Sequence, residues 1–332
     1  MTNTDHSPNE PPPAKQAIPV SDPKHATHIT GKGRYYQIPG IDKPLISVTN
    51  AIGVLNKYGL APWYAKKAAE HAIDQLPALI NRVRTDRQGA IDDVKAAGER
   101  ARDEAGELGT RVHDLAEAHV LGRTLAEEEI DRDAGLYVKQ YLKFLDDFDL
   151  DIASDIYATE MTVYSEHDGW AGTLDLIPMM RLDGYIAGKP VAVLPDGQRH
   201  YWLVDIKTSR TRAVTQTYPQ HGFQLAALRH AKHALLPDDT AIKMPPVYGC
   251  ATLQLRQDKY EMIPVPATTA HYKHFLRAVE LARFLHNDDG DGWPGDYDYR
   301  PITPTGKFKP KRGSKNTLTS PSTPVVPDTE AA

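Results

Sequence analysis

The chain has 332 residues, 40% of them hydrophobic, and carries 44 acidic against 39 basic side chains for a net charge of −5. That is enough apolar material for one large domain or two small ones, and the charge argues against a broad basic surface that holds nucleic acid by counterion release, though not against a local basic groove. The single cysteine, Cys250, excludes an internal disulfide, a four-cysteine zinc site and an iron–sulfur cluster on four thiolates.

No apolar run approaches the roughly 18 residues of a membrane span. The opening MTNTDHSPNEPPPAKQ lacks the basic-then-apolar order of a signal peptide, so a cytoplasmic protein without a membrane partner is expected. Residues 1–27 and 301–332 are rich in Pro, Asn, Asp, Ser and Thr and read as disordered tails around a folded region of about 28–300. Tyr35–Ile38 and Leu45–Val48 flank the turn-prone PGIDKP, a small hairpin leading into a helix near Thr49. Pro62 fits the first turn of a second helix through WYAKKAAEHAIDQL. The stretch from about 87 to 147 is helical in pattern, with breaks expected at Gly109 and near Gly122, and closes a helical block of about 49–147.

The period then changes from 3.6 to 2. DIYATEMTVYS, WAGTLDLIPMM and HYWLVDIKT read as three strands, with RLDGYIAGKPVAVLPDGQ as an extended hairpin insertion before the third. A helix is expected over YPQHGFQLAALRHAKHALL, then strands over PVYGCATLQL and YEMIPV joined at Arg256–Lys259, then an amphipathic helix from about 268 to 286. This order predicts an α/β domain with a mixed β-sheet, its core at about 150–265, flanked by helices.

The strongest chemical signal is LVDIKTS. On a strand Asp205 and Lys207 share one face while Val204 and Ile206 point to the other. The carboxylate can hold a hard cation and the ammonium can position water or offset charge on a phosphate, although a plain strand-end salt bridge has the same spacing. One strand earlier Asp175 interrupts the apolar GTLDLI, and a buried carboxylate requires a partner. If neighbouring strands bring Asp175 and Asp205 together, the two repel unless a divalent cation, or Lys207, lies between them. On the helix GTRVHDLAEAHVLG, His113 and Glu117 share a face, as do Gln220 and Gln224 on the later helix.

In order, Gly109-x-x-x-His113, Glu160 on the first strand, Gly172-Thr173-x-Asp175 on the second, Asp205-Ile206-Lys207 on the third and QLAAL from Gln224 resemble the motifs of the RecB-like branch of the PD-(D/E)XK nucleases. Single-domain exonucleases of actinobacteriophages are the most similar branch, also through SVTNAIGVLNKYGLAPWYAKKAA, and the likeness spans about residues 30–290. The resemblance implies a restriction-endonuclease-like core, with His113, Asp175, Asp205 and the backbone carbonyl of Ile206 as ligands to Mg²⁺ or Mn²⁺. It further implies Lys207 as the catalytic lysine, Glu160 as a supporting carboxylate and Gln224 as the start of a Q-x-x-x-Y motif. Position 228 departs from that motif, being Leu, with Tyr218 as a substitute to test, and the cysteines of iron–sulfur relatives are absent. The implied activity is DNA exonuclease action in phage or bacterial recombination or repair. Its partners would be DNA and a recombinase, annealing protein or separate helicase. An endonuclease on the same fold and a non-catalytic DNA-binding accessory protein stay open.

Other signals point elsewhere. No GxxxxGK surrounds Gly31-Lys32, Gly188-Lys189 or Gly306-Lys307, so no fused ATPase motor is expected. The acidic stretch 287–299 lacks the closing glutamate of an EF-hand and reads as a solvated loop. His271 and His274 have metal-compatible spacing but no companion ligands, and read as a surface face. KFKPKRGSK either contacts phosphates or solubilises the tail.

Overall fold

Apolar alternation builds one mixed sheet, and 3.6-residue periodicity covers both its faces with helices. The computed structural model describes residues 25–55, 57–123, 132–180, 185–186, 189–190, 199–290, 304–305 and 307. β1 (Ala26–Ile29), β2 (Gly33–Tyr36) and β3 (Leu45–Ser47) form an antiparallel run with Tyr36 opposite Leu45, the expected hairpin plus one strand that begins inside the expected N-terminal tail. The Ser47 hydroxyl accepts the Asn50 N–H and so caps α1 (Val48–Ala51).

α2 (Leu60–Asp74) and α3 (Leu76–Thr85) bury no residue completely and lie against α4 (Arg87–Val120). α4 runs unbroken for 34 residues, against the break expected at Gly109. A glycine costs a helix about 1 kcal/mol, which burial of Leu108, Val112 and Leu115 around it outweighs. The Gly122 break is present, at φ +65°. α5 (Arg132–Asp147) and α6 (Ile152–Asp155) complete the helical part.

β4 (Ile156–Ser165), β5 (Trp170–Met180) and β8 (His200–Thr208) follow the reading closely; of the insertion between the last two, only the short antiparallel pair β6 (Tyr185–Ile186) and β7 (Lys189–Pro190) lies within the described residues. α7 (Pro219–Arg229) ends earlier than expected. HAKHALL becomes β9 (His233–Leu235), because Ala234 and His233 pair with Val163 and Tyr164 of β4; β10 (Ala241–Lys243) pairs with it in turn. β11 (Gly249–Leu255) runs parallel to β8 and antiparallel to β12 (Tyr260–Pro264), and α8 (Thr269–Leu285) closes the described fold.

One face of the sheet packs Leu203, Met161 and Leu174 against Leu225 and Leu228 of α7 and Phe275 and Val279 of α8. The other packs Val204, Ile206 and Leu253 against Leu108, Val112 and Leu115 of α4 and Tyr137, Tyr141 and Phe144 of α5. The chain is therefore an α/β fold with a mixed sheet flanked by helices and an N-terminal helical block. Among the described residues no helix is long and apolar enough to cross a membrane.

Candidate functional site

The sheet opens at one point, and the site lies there. On one edge β5 pairs with β3 at Trp170 and Ala171, then with β8 from Leu176 onward; Asp175 occupies the fork between the two partners. Side-chain alternation fails at the same level in two strands. Leu174 and Leu176, two apart on β5, belong to opposite cores, and Ala158 and Met161, three apart on β4, belong to the same one. Between the latter, Glu160 takes the left-handed conformation with φ +45°, a strained state for a non-glycine residue that persists only where surroundings impose it.

Side chains rather than strands complete the ladder at this fork. The Ile206 N–H donates to Asp175 Oδ2 at 2.6 Å, and the Ile206 carbonyl stands 3.2 Å from His113 Nε2. His113 reaches down from α4, with Nδ1 3.0 Å from Glu160 Oε1 and 3.8 Å from Asp175 Oδ2. One potential ligand atom from each of His113, Glu160 and Asp175 lies within 4.8 Å of the others. On the α7 face of β8, Lys207 Nζ is 2.7 and 2.6 Å from the two oxygens of Asp205, which is 2% exposed. Gln224 of α7 bridges this pair, its Nε2 donating to Asp205 Oδ1 at 2.8 Å and its Oε1 accepting from Lys207 at 3.4 Å.

Three carboxylates thus crowd two cations. Burial pushes the Asp175 carboxyl up to about 7, with Asp205 and Glu160 adding to the rise and His113 opposing it. Burial pulls His113 down, but Asp175 and Glu160 outweigh it and hold the imidazolium up to about 9. Lys207 is likewise pulled down by burial and raised above its usual value by Asp205 and Asp175. Oxygen donors with one imidazole and no thiolate, carrying surplus negative charge, fit a hard divalent cation. Cys250 is buried in the apolar core and its thiol is pushed up to about 12 by burial.

These shifts set a pH dependence. Stability from His113 is present below its ordinary 6.5 and lost as pH rises through about 9. Asp175 also holds its proton more tightly when folded, so its ionisation lowers stability between 3.8 and about 7. Both act in one direction. In chelator, the melting temperature should fall as pH rises from about 4 to 9, more steeply than in a His113→Gln/Asp175→Asn double variant. Added Mn²⁺ should restore most at the alkaline end, where the donors are deprotonated. Parallel melting curves for the two proteins would refute the assignment of these groups.

The structure brings together His113, Glu160, Asp175, Asp205, Ile206, Lys207 and Gln224, as the sequence motifs order them. Within this group Glu160 stands with His113 and Asp175, the place that the resemblance gives to Asp205, while Asp205 is turned to Lys207 and Gln224. Glu117 is one turn further along α4 and pairs with Arg123 at 3.7 Å. Gln220 is one turn before Gln224 on the same face of α7. Tyr218 does not stand in for a tyrosine at position 228. It caps the start of α7, ten positions before Leu228 and so about 15 Å away along the helix, whereas Leu228 is 2% exposed against Gly172.

Other neighbours carry no motif. Thr252 and Gln254 lie beside Asp205 and Lys207 in the parallel register and are buried; Arg256 donates to Gln254 and to the carbonyls of Arg212 and Ala213, fixing the segment after β8. Tyr141 is buried near Glu160 and Asp175, burial and then both charges raising its phenol. A strand register, which local sequence does not carry, was needed to find the first two.

Comparison with models of known families gives no match, and comparison with curated proteins gives none either. Among solved structures the chain is similar to the crystal structure of SSO0001, at 15% identity over 68% of this chain and 85% of that one, with a TM-score of 0.27, too low to bear on fold or function.

Proposed function

We propose that the chain is a divalent-metal-dependent deoxyribonuclease of the RecB-like PD-(D/E)XK type that degrades DNA from an end, in recombination or repair. The observation that carries this is the meeting of His113 from α4, Glu160 from β4, Asp175 from β5 and the Asp205–Lys207 pair from β8 at a fork in the sheet. His113, Glu160 and Asp175 would hold the cation, Mg²⁺ or Mn²⁺, with Asp205 and the Ile206 carbonyl adjoining. Once bound, such a cation polarises a phosphate and makes a water molecule more acidic.

Lys207 stays charged, because Asp205 and Asp175 hold its proton against burial. It acts as a donor rather than a base, steadying the attacking water or the charge on a phosphoryl oxygen. The water oxygen bonds to phosphorus, the ester P–O bond breaks, and the leaving oxygen takes a proton, giving one phosphate end and one hydroxyl end. Gln224 keeps Asp205 and Lys207 in register for this.

The test is to incubate linear and covalently closed circular DNA with Mg²⁺, Mn²⁺ or EDTA, without ATP. Linear DNA should shorten to small products with either cation, circles should survive, and EDTA should stop the reaction. Internal cuts in the circle would replace end-dependent action by endonuclease action at the same residues. Intact DNA of every form with every cation would overturn the reading.

A further inference from the structure

Beside the catalytic cluster, α7 and α8 enclose a groove of about 590 Å³ whose lining includes Tyr218, Phe223, His271 and His274 with Pro264 and Pro266. Phe223 and His271 present tilted rings 6.2 Å apart, and Tyr218 meets His221 edge-on at 5.5 Å. The floor is Gly222: a Cβ there would lie 3.2 Å from the Pro266 carbonyl and 3.3 Å from the His271 ring, so the missing side chain keeps the groove open. Its volume lies in the range of ordinary ligand sites.

The charge around it has one sign. No carboxylate lines the groove. The Arg212 guanidinium sits 4.9 Å over the Tyr218 ring at one end, and Arg277 is 3.1 Å from His274 at the other. Among the described residues neither arginine forms an ion pair with a carboxylate. The Tyr218 end leads toward the cluster along one face of α7, since Tyr218 touches His221 and Gln224, one turn beyond His221, bonds both Asp205 and Lys207.

We propose that this groove binds single-stranded nucleic acid, its bases stacking on Tyr218, Phe223 and His271 and its phosphates meeting Arg212 and Arg277, and so delivers an unpaired strand to Lys207. Flat rings bind any base through its π face, and arginines at the ends supply the backbone attraction. A duplex offers no free base faces, so the groove favours the single strand. Delivery to Lys207 rests on the nuclease reading; the binding itself does not.

The experiment measures binding of fluorescein-labelled oligothymidylate and of a blunt hairpin duplex of equal charge, in EDTA, by anisotropy. The wild-type protein should prefer the single strand. Tyr218→Leu and His271→Ala should each weaken it on the order of tenfold, Tyr218→Phe should not, and the exposed His274→Ala serves where the others lower the melting temperature. An oligonucleotide with abasic sites should bind the wild type at least as weakly as thymidylate binds Tyr218→Leu. Equal binding by Tyr218→Leu and Tyr218→Phe, or equal losses for strand and duplex, would overturn the proposal. Variants that bind normally, in a protein that degrades linear DNA, remove the groove and leave the nuclease reading. Variants that lose binding, in a protein that degrades no DNA, do the reverse.

Discussion

Asp175→Asn should reduce metal-dependent hydrolysis by at least about 10²- to 10³-fold, the scale on which losing one charge-stabilising group acts in a preorganised site, while leaving the fold at least as stable in chelator. The two effects separate because the carboxylate has two roles. Its Oδ2 accepts the Ile206 N–H at 2.6 Å, and an asparagine oxygen can keep that bond. Its charge is costly without a cation, as the upward push on its pKa by burial, Asp205 and Glu160 records. Asp175→Ala should behave differently. It strands a buried N–H, which costs about 1–3 kcal/mol, and should lower both activity and melting temperature. Activity close to wild type in Asp175→Asn, or a stability loss as large as in Asp175→Ala, would show that the carboxylate serves the sheet alone.

The strands that carry the cluster were legible because their signal is local. IYATEMTVYS, WAGTLDLIPMM and HYWLVDIKT combine β-branched and aromatic residues with alternation, and the structure matches each to within a residue. Where long-range pairing decides, sequence misleads. HAKHALL has good helix formers, yet β4 offers its edge and takes His233–Leu235 as a strand. Gly109 has the look of a helix end, yet α4 is pinned on both sides of it by buried residues. The same division runs through the site. The shared face of Asp205 and Lys207 follows from a period of two, and the fourfold spacing on α7 brings Gln224 into play. No local feature announces that Glu160 would adopt positive φ, or that Asp175 would sit where β5 exchanges β3 for β8. Both follow from how three strands meet, and it is that meeting which gathers the carboxylates.

The Asp205–Lys207 pair can be tested against its plainest alternative, a strand-end salt bridge. Lys207→Met should lower hydrolysis by about 10²- to 10³-fold. It should also destabilise the protein, because Asp205 is 2% exposed and loses its cation. Breaking a buried pair costs about 3–5 kcal/mol, and the lower end applies here since the lysine side chain is 28% exposed. The informative protein is the double variant Asp205→Asn/Lys207→Met. The asparagine oxygen can still accept from Gln224 Nε2, as Asp205 Oδ1 does at 2.8 Å, and no buried charge is left alone. Its melting temperature should therefore recover most of the loss while hydrolysis stays at or below the level of Lys207→Met. A salt bridge that only braced the strand end would give the opposite pairing, with activity returning alongside stability, because nothing would then depend on the charges themselves. Recovery of both in the double variant would show that Lys207 has no catalytic role. Recovery of stability alone ties the charges of β8 to the reaction rather than to the fold.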